Sequence, residues 1–411
     1  MGVKYGILLP MDTQKKTILI VHNKYRIPGG EDVVAENEAR LLAEHGHRVI
    51  RYTRDNAEIK RRSRFSKLLL PFEMQFSLRT YHEVRALIRR EGVDIVHVHN
   101  TLHLVSPSVF YAAAAEKVPV VQTVHNFRML CPAGTFYRRG HVCEDCAAKG
   151  LHCSLQHACY RNDCLQTAAV AFMVWLHRLT GICRNVHFIC LTEFNKEKLM
   201  KLNRHRKVID PGKVYVKPNF TLEPEKREVL TKSLPKKPYY VVIGRLEKLK
   251  GSDLIAKAFA RNRKHVVFIG QGEMEGALCC YISRNHLQKV ELAGQLSHEE
   301  AMRILANAEA LITASQWYET FGMTVIEAYA RKVPVIALDF GNIGDLVIDG
   351  VTGIKFKNSA DSLNRAIKAF EKMDRTELGE NAYRIYREKY SKEGNYRRLM
   401  EIYDAMGGGK S

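Results

Sequence analysis

The chain has 411 residues, enough for two domains with separate cores, and its 46% hydrophobic content is that of a globular protein. Sixty-four Lys and Arg against 44 Asp and Glu leave a formal charge of +20. That field favours anionic partners (nucleic acid, sugar nucleotides, phospholipid headgroups, lipid diphosphates) without choosing among them. No apolar run reaches the roughly eighteen residues of a membrane span, and no secretory signal precedes the first strand-like run. The expectation is a cytoplasmic protein, with a peripheral place on the cytoplasmic face of the membrane as its variant.

After a short leader and a lysine pair, residues 17–22 form a strand-length apolar run. Pro28-Gly-Gly30 follows, and residues 31–45 carry a helical period with Val33, Val34, Leu41 and Leu42 apolar. Further strands are expected at 47–52, 93–99 and 118–125, with a helix at 80–90. Residues 59–72 mix five cations with Leu68, Leu69, Leu70 and Phe72. They read either as a membrane-surface segment or as a helix with a solvated basic face and a packed apolar face. Beyond a cysteine-rich stretch, a helix is expected at 165–179 and strands at 186–191 and 214–216. Residues 222–238, rich in Pro, Lys and Glu, read as a linker.

The alternation then restarts with strands expected at 239–243, 266–269, 289–292, 310–312 and 333–337, and final helices at 360–372 and 376–406. Strands spaced by helices indicate parallel α/β sheets. The expected organisation is an N-terminal unit 1–221 with a cysteine-rich insertion at about 129–165, a second unit 222–385, and a segment 386–411 that packs back on the first. Two such sheets in tandem leave a cleft at the carboxyl ends of their strands. Ser297-His-Glu-Glu300 is a capping box with a structural role, and Gly270-Gln-Gly272 is a tight turn.

Gly244-Arg245 to Lys250-Gly251 follows a strand and opens a helix near Ser252. Arg245 can fork onto phosphate oxygens, and Lys250 adds a second positive charge. About seventy residues on, Glu319-Thr-Phe-Gly-Met-Thr-Val-Ile-Glu327 sets two carboxylates around a glycine turn and a helix start near Thr324. The N–H groups of Phe321, Gly322, Met323 and Thr324 can cradle a phosphate. Glu327 can accept both hydroxyls of a ribose, and Glu319 can reach a transferred sugar. Together these residues describe a nucleotide-sugar site.

In these motifs, from residue 17 to the C-terminus, the chain resembles the retaining glycosyltransferases of family GT4, with a GT-B fold: two Rossmann-like, doubly wound domains facing each other across a cleft. The resemblance makes Arg245, Lys250, Glu319 and His125 catalytic. It puts Gly29 and Gly30 beside the diphosphate and adds them to Arg245, Lys250, Glu319, Phe321, Gly322, Met323, Thr324 and Glu327 as donor-binding residues. On the acceptor side it places Glu31, His99, Asn100 and, through His125-Asn-Phe-Arg128, Arg128. It implies transfer with retention and no catalytic metal. Where the family often has Gly-Gly-x-x-Glu, this chain has Gly341-Asn-Ile-Gly-Asp345, a shorter acid. The donor is a UDP-sugar by default, with a GDP-sugar as alternative, and the acceptor a glycan or lipid-linked saccharide of cell-surface polysaccharide synthesis.

Six of ten cysteines fall between Cys131 and Cys164. Cys143-Glu-Asp-Cys146 lets two thiolates reach one tetrahedral ion. Family members with a similar insertion match at Cys131, Arg139, Cys143, Cys146 and Cys159. The expected ligands of a structural zinc are therefore Cys131, Cys143, Cys146 and Cys159, with Cys153 and Cys164 as substitutes, and disulfides, unliganded thiols or mixed His/Cys arrangements as alternatives. Rival functions are a phosphorylase or epimerase on the same two-domain plan and, more distantly, a zinc-containing nucleic-acid-binding module; no nucleic-acid partner is expected.

Overall fold

A computed structural model of the chain describes residues 14–25, 29–223, 235 and 238–407, leaving aside the side chains of residues 64 and 65. The leader, Pro28 and most of the expected linker lie outside the described residues. The strands are β1 Thr17–Lys24, β2 Arg48–Asp55, β3 Ile95–Asn100, β4 Val120–Val124, a small antiparallel pair β5 Tyr137–Arg138 and β6 His141–Val142, then β7 Val186–Cys190 and β8 Val214–Val216. The second series is β9 Tyr240–Ile243, β10 Val266–Ile269, β11 Val290–Gly294, β12 Leu311–Thr313, β13 Val335–Leu338 and β14 Gly353–Phe356.

Two six-stranded parallel sheets result, in the orders β2-β1-β3-β4-β7-β8 and β11-β10-β9-β12-β13-β14. Each reverses direction at one switch point, β1/β3 in the first sheet and β9/β12 in the second. Ligand crevices of open α/β sheets form at such points, outside the carboxyl ends of the strands. Two mainly parallel sheets of this kind make the double-Rossmann, GT-B-like architecture expected from the alternation. β14, after the turn at Gly350, is the main-sheet strand that the apolar pattern did not announce.

The interior strands are buried on both faces, as parallel strands must be. β3 departs from the apolar composition this demands: all six of its residues are buried, yet they include His97, His99 and Asn100. The helix Gly30–Glu44 covers β1 with Val34, Ala35, Leu41 and Leu42, and on the same buried face carries Glu38. These polar insertions into a core mark the site.

The terminal helical region is broken rather than continuous over 376–406. The helix Arg375–Ile385 widens at Tyr386–Tyr390, Ser391 is extended, and a new helix runs Lys392–Gly407. Tyr386 and Tyr390 turn into the second core, and the Tyr386 hydroxyl donates to the Thr221 carbonyl at 2.9 Å. Leu399, Met400, Ile402 and Tyr403 instead pack on Ile18, Ile20, Val121 and Ile189 of the first sheet. One straight helix cannot face both cores, so the chain breaks at Ser391. Residues 59–72 are likewise not one helix. They fall in short helices Glu58–Arg61, Arg64–Leu68 and Leu70–Gln75, and Leu68, Leu69 and Phe72 are exposed instead of packed.

Candidate active site

The second switch point brings Lys250 and Glu319 together, with Arg245 on the same turn as Lys250. β9 ends at Ile243, and the turn 244–251 leads into the helix Ser252–Asn262; β12 ends at Thr313, and the loop that follows carries Ser315, Trp317 and Glu319. Gly251 has φ +68°, and a Cβ there would lie 2.4 Å from the Ala314 carbonyl oxygen, so only glycine lets the two loops meet this closely. The Lys250 ammonium bonds the Glu319 carboxylate. The same oxygen, Oε1, accepts from Ser315 Oγ at 2.7 Å and from Trp317 Nε1 at 3.0 Å. Arg245 stays largely exposed, with Nη1 2.7 Å from Glu247 Oε1. The strand-following turn thus holds one cation inside the crevice and one at its mouth.

Glu327 lies on the helix Met323–Ala330, which begins one residue before the expected start. It is 8% exposed, and His298 Nε2 lies 3.9 Å from its Oε1. Burial raises its pKa. His298 and Arg331 pull against that shift, and a carboxylate's several lone pairs can accept hydroxyl donors. Gly322 caps this helix against Ile343 and Leu346, while Phe321 is buried behind it, so the first-turn N–H groups of Met323 and Thr324 open the helix on the cleft side. Asp345 sits in the short helix Gly341–Leu346, where Asn342 is the residue that faces the site. Its Nδ2 donates to the Glu319 carbonyl and, at 2.7 Å, to Asn195 Oδ1.

Asn195 belongs to the first sheet's side and donates to the Thr320 carbonyl at 2.6 Å, while Thr320 Oγ1 donates to the His125 carbonyl at 3.0 Å. The loop holding Glu319 is therefore hydrogen-bonded to both units.

The first switch point assembles the other predicted residues. Gly29 N donates to Asp32 Oδ2 at 2.7 Å, and Asp32 Oδ1 lies 2.8 Å from His22 Nε2, which fixes the start of the helix Gly30–Glu44. His99 Nδ1 stands 3.0 Å from His125 Nε2. Burial pushes the His125 pKa down to about 3 and that of His99 well below its usual value, so both rings are neutral. Asn100 Nδ2 donates to the Asn23 carbonyl at 2.8 Å, closing β1 on β3 at the mouth of the crevice. Glu31 and Arg128 form a half-buried group with Tyr25 and Asn126. Burial lifts Glu31 to about 7 against the opposing pull of Arg128.

Behind these residues lies a network that the sequence reading did not name. His97 Nδ1 is 2.9 Å from Glu38 Oε1 and 2.7 Å from the Tyr403 hydroxyl, and His97 Nε2 is 2.7 Å from Thr123 Oγ1. Glu38 Oε1 is also 3.6 Å from His99 Nε2. The signal was present: Glu38 falls in register with Val34, Leu41 and Leu42 on a helix face that should be apolar. Among the described residues, Glu38, His97 and His99 are the group that brings three metal-type ligand atoms within 4.8 Å of one another. Lys217 Nζ already neutralises the carboxylate at 2.9 Å, and both His97 nitrogens have hydroxyl partners, so the triad reads as a buried ion pair with its hydrogen bonds.

The cysteine-rich stretch folds as the β5–β6 pair and the short helices Asp145–Ala148 and His152–Gln156. Cys146 is at its centre. Burial and then the thiols of Cys131, Cys159, Cys153 and Cys143 push its pKa up to about 12. Between the paired cysteines, Glu144 bonds Lys198 and, at 2.6 Å, Lys201, and accepts from the Tyr318 hydroxyl at 3.2 Å. The insertion thus touches the residue next to Glu319.

The family model described as Glycosyltransferase Family 4 matches residues 28–221, and that described as Glycosyl transferases group 1 matches residues 224–385. An uncharacterised glycosyltransferase of Methanocaldococcus jannaschii is 29% identical over 168 residues, 40% of this chain and 47% of that protein. The match therefore spans about half the length of that curated relative. A glycosyltransferase structure from Rickettsia africae superposes with TM-score 0.67 at 18% identity, over 96% of this chain and 100% of its own. The Anabaena HepE structure in complex with UDP-glucose superposes with TM-score 0.64 at 16% identity, over 95% and 100%. These likenesses establish the two-domain fold.

Proposed function

Because the chain belongs to the GT-B glycosyltransferase superfamily, with a family 4 N-terminal part and a group 1 C-terminal part, we propose that it is a retaining glycosyltransferase using a nucleotide-sugar donor. The observation that carries the reading is the second switch point, where Lys250, Ser315 and Trp317 converge on Glu319 while Glu327 is buried on the helix Met323–Ala330. A UDP-sugar is the donor of choice, supported by the UDP-glucose complex of the Anabaena protein, with a GDP-sugar as alternative. The acceptor is a glycan or lipid-linked saccharide of cell-surface polysaccharide synthesis, met at the cytoplasmic face of the membrane.

The ribose hydroxyls donate to Glu327, and the diphosphate lies between Arg245, Lys250 and the first turn of Met323–Ala330. As the bond from the anomeric carbon to phosphate breaks, positive charge grows on the sugar and negative charge on the diphosphate. Lys250 then exchanges Glu319 for phosphate oxygen, and Arg245 swings from Glu247. Both interactions are stronger in the transition state than in the ground state, and they take the part a divalent ion would otherwise take. The acceptor oxygen attacks the face the phosphate leaves and passes its proton to the departing phosphate oxygen. His125, neutral and buried, orients the sugar with its backbone carbonyl tied to Thr320. Glu31, Arg128, His99 and Asn100 line the acceptor side.

The cysteine insertion would hold a structural zinc through Cys131, Cys143, Cys146 and Cys159, four of the thiols gathered about Cys146. Zinc would keep them as thiolates and brace Glu144 against Tyr318.

The test is a thermal-shift screen of the protein against UDP-, GDP-, ADP- and CMP-sugars, with Arg245→Ala and Glu327→Ala alongside. Stabilisation by one donor, lost in both variants, is expected. Equal stabilisation of both variants would sink the donor site. Phosphorolysis of a glycan or interconversion of the free sugar nucleotide would reassign the chain as a phosphorylase or epimerase.

A further inference from the structure

The helix Cys164–Leu179 is apolar on two faces, and one of them has no partner in the fold. On the inner face Val170, Met173 and Val174 pack with Met74 and Leu102, and Met173, Val174 and His177 line the pocket that reaches His125. On the outer face Leu165, Ala168, Phe172, Trp175 and Leu179 recur at intervals of three and four residues. Leu165 is 83% exposed, and Phe172, Trp175 and Leu179 are each 50% exposed. The Phe172 and Trp175 rings stack at 5.6 Å between centroids, forming one apolar ridge. The helix contains no acidic residue.

The helix Leu70–Gln75 lies beside it. Gln75 Nε2 donates to the Ala169 carbonyl at 3.0 Å, and His177 Nε2 lies 2.8 Å from the Gln75 carbonyl, so the two helices are fixed side by side. Leu68, Leu69 and Phe72, on and just before that helix, are exposed as well, Leu68 and Phe72 by 70% and more. Single exposed apolar residues need no explanation, but a contiguous patch of leucines and aromatics marks an interaction surface. Its border is basic. Lys60, Arg61 and Lys67 are exposed, whereas Glu73 is already paired with Arg62 at 2.6 Å.

Charge chooses the occupant. A second copy of a chain carrying +20 would set one basic border against another. An anionic bilayer accepts both parts of the surface: aromatic and leucine side chains at the acyl boundary, lysine and arginine among the headgroups. We propose that the face formed by Cys164–Leu179 and residues 60–75 docks on anionic lipid membrane. Docking stands apart from the transferase reading. Only its consequence rests on that reading: a lipid-linked acceptor would enter the pocket under Cys164–Leu179 from the membrane plane.

The experiment is flotation of the full chain with vesicles of phosphatidylcholine alone or with one-third phosphatidylglycerol, at low and high salt. Trp175 emission is followed in parallel in a Trp317→Phe background. Binding to the anionic vesicles with a blue shift of Trp175 is expected, weakened about tenfold or more by Phe172→Ser/Trp175→Ser and by Lys60→Glu/Lys67→Glu. These positions are exposed, and circular dichroism with donor-induced thermal shift checks that each variant is folded. Absence of flotation with anionic vesicles overturns the proposal, as does flotation indifferent to both double variants. A dimer in sedimentation velocity that Phe172→Ser/Trp175→Ser dissociates would also overturn it, by giving the face to a second copy. Loss of flotation with donor binding intact would separate this surface from the active site.

Discussion

Lys217 places its ammonium 2.9 Å from Oε2 of Glu38, and each side chain is 1% exposed. Burial works against the Glu38 charge, yet Lys217 and His97 hold its pKa well below the usual carboxylate range. Lys217 also donates to Asn395 Oδ1 at 2.9 Å, and Asn395 Nδ2 donates to the Pro218 carbonyl at 2.6 Å, so the pair anchors the returning helix Lys392–Gly407. Losing one partner strands the other as an unpaired buried charge. Glu38→Gln or Lys217→Met should each cost about 3–5 kcal/mol, and the double variant should recover most of that loss. Denaturant titration measures it. Additive losses in the double variant would show that the two charges do not act as a pair.

Acid should destabilise the fold in two stages. His103 and His125 have pKa values pushed down to about 3 by burial, against 6.5 for the free side chain. The unfolded chain therefore binds protons at these rings that the folded chain refuses, and stability falls as pH drops below 6.5. Glu31 has the opposite sign: its folded pKa, near 7 against 4.5, makes the folded state the better proton binder between those values. From pH 6.5 to 4.5 these three groups leave a balance of one proton, about 1.4 kcal/mol per pH unit, and below 4.5 of two, about 2.7; burial also pushes His47 and His187 down to about 4, which adds to the loss in the upper window. Glu31→Gln removes the offset and should steepen the slope in the upper window by one proton, about 1.4 kcal/mol per pH unit. An unchanged slope there would mean that Glu31 is ionised in the folded protein.

The strands were legible because buried parallel strands must be apolar and short, and the meeting of Lys250 with Glu319 because each follows a strand at the point where the order of the second sheet reverses. Glu38 was legible too, as an acid on an otherwise apolar helix face, but only to a reading that asks why a core position is charged. The hydrogen bond between Asn342 and Asn195 was not: the residues are 147 positions apart, and nothing local in either segment encodes the approach of two domains. The break at Ser391 was hidden for a similar reason, since the helical period continues on both sides and the two cores that require the break are assembled from distant sequence.

Glu327 should separate folding from donor binding. Its carboxylate is buried, raised in pKa by that burial, and 3.9 Å from the nearest histidine nitrogen. Glu327→Gln keeps the shape and removes a charge that burial penalises, so the donor-free protein should be no less stable and about 1 kcal/mol more stable if the charge is only weakly compensated. The same change would weaken the proposed hydrogen bonds from ribose hydroxyls, which for a charged acceptor are worth about 1.5–3 kcal/mol, so donor affinity should fall about tenfold or more. Thermal melting without and with donor checks both halves. A variant less stable without donor and unchanged in affinity would make Glu327 a structural acid.

The cysteine insertion should act on the donor through Glu144. Its carboxylate bonds Lys198 and Lys201 and accepts from the Tyr318 hydroxyl at 3.2 Å, one residue before Glu319. Because Glu144 stands between Cys143 and Cys146, whatever holds these thiols also holds Glu144. Protein purified without chelator should carry about one zinc per chain, lost in Cys143→Ser and Cys146→Ser but retained in Cys279→Ser, whose side chain is exposed and far along the sequence. Zinc loss should weaken donor binding about tenfold, the scale on which disturbed supporting contacts act. Glu144→Gln should reproduce that weakening with the zinc still bound. If zinc leaves and donor affinity stays the same, the insertion stabilises only itself, and the contact with Tyr318 is packing without consequence for the donor.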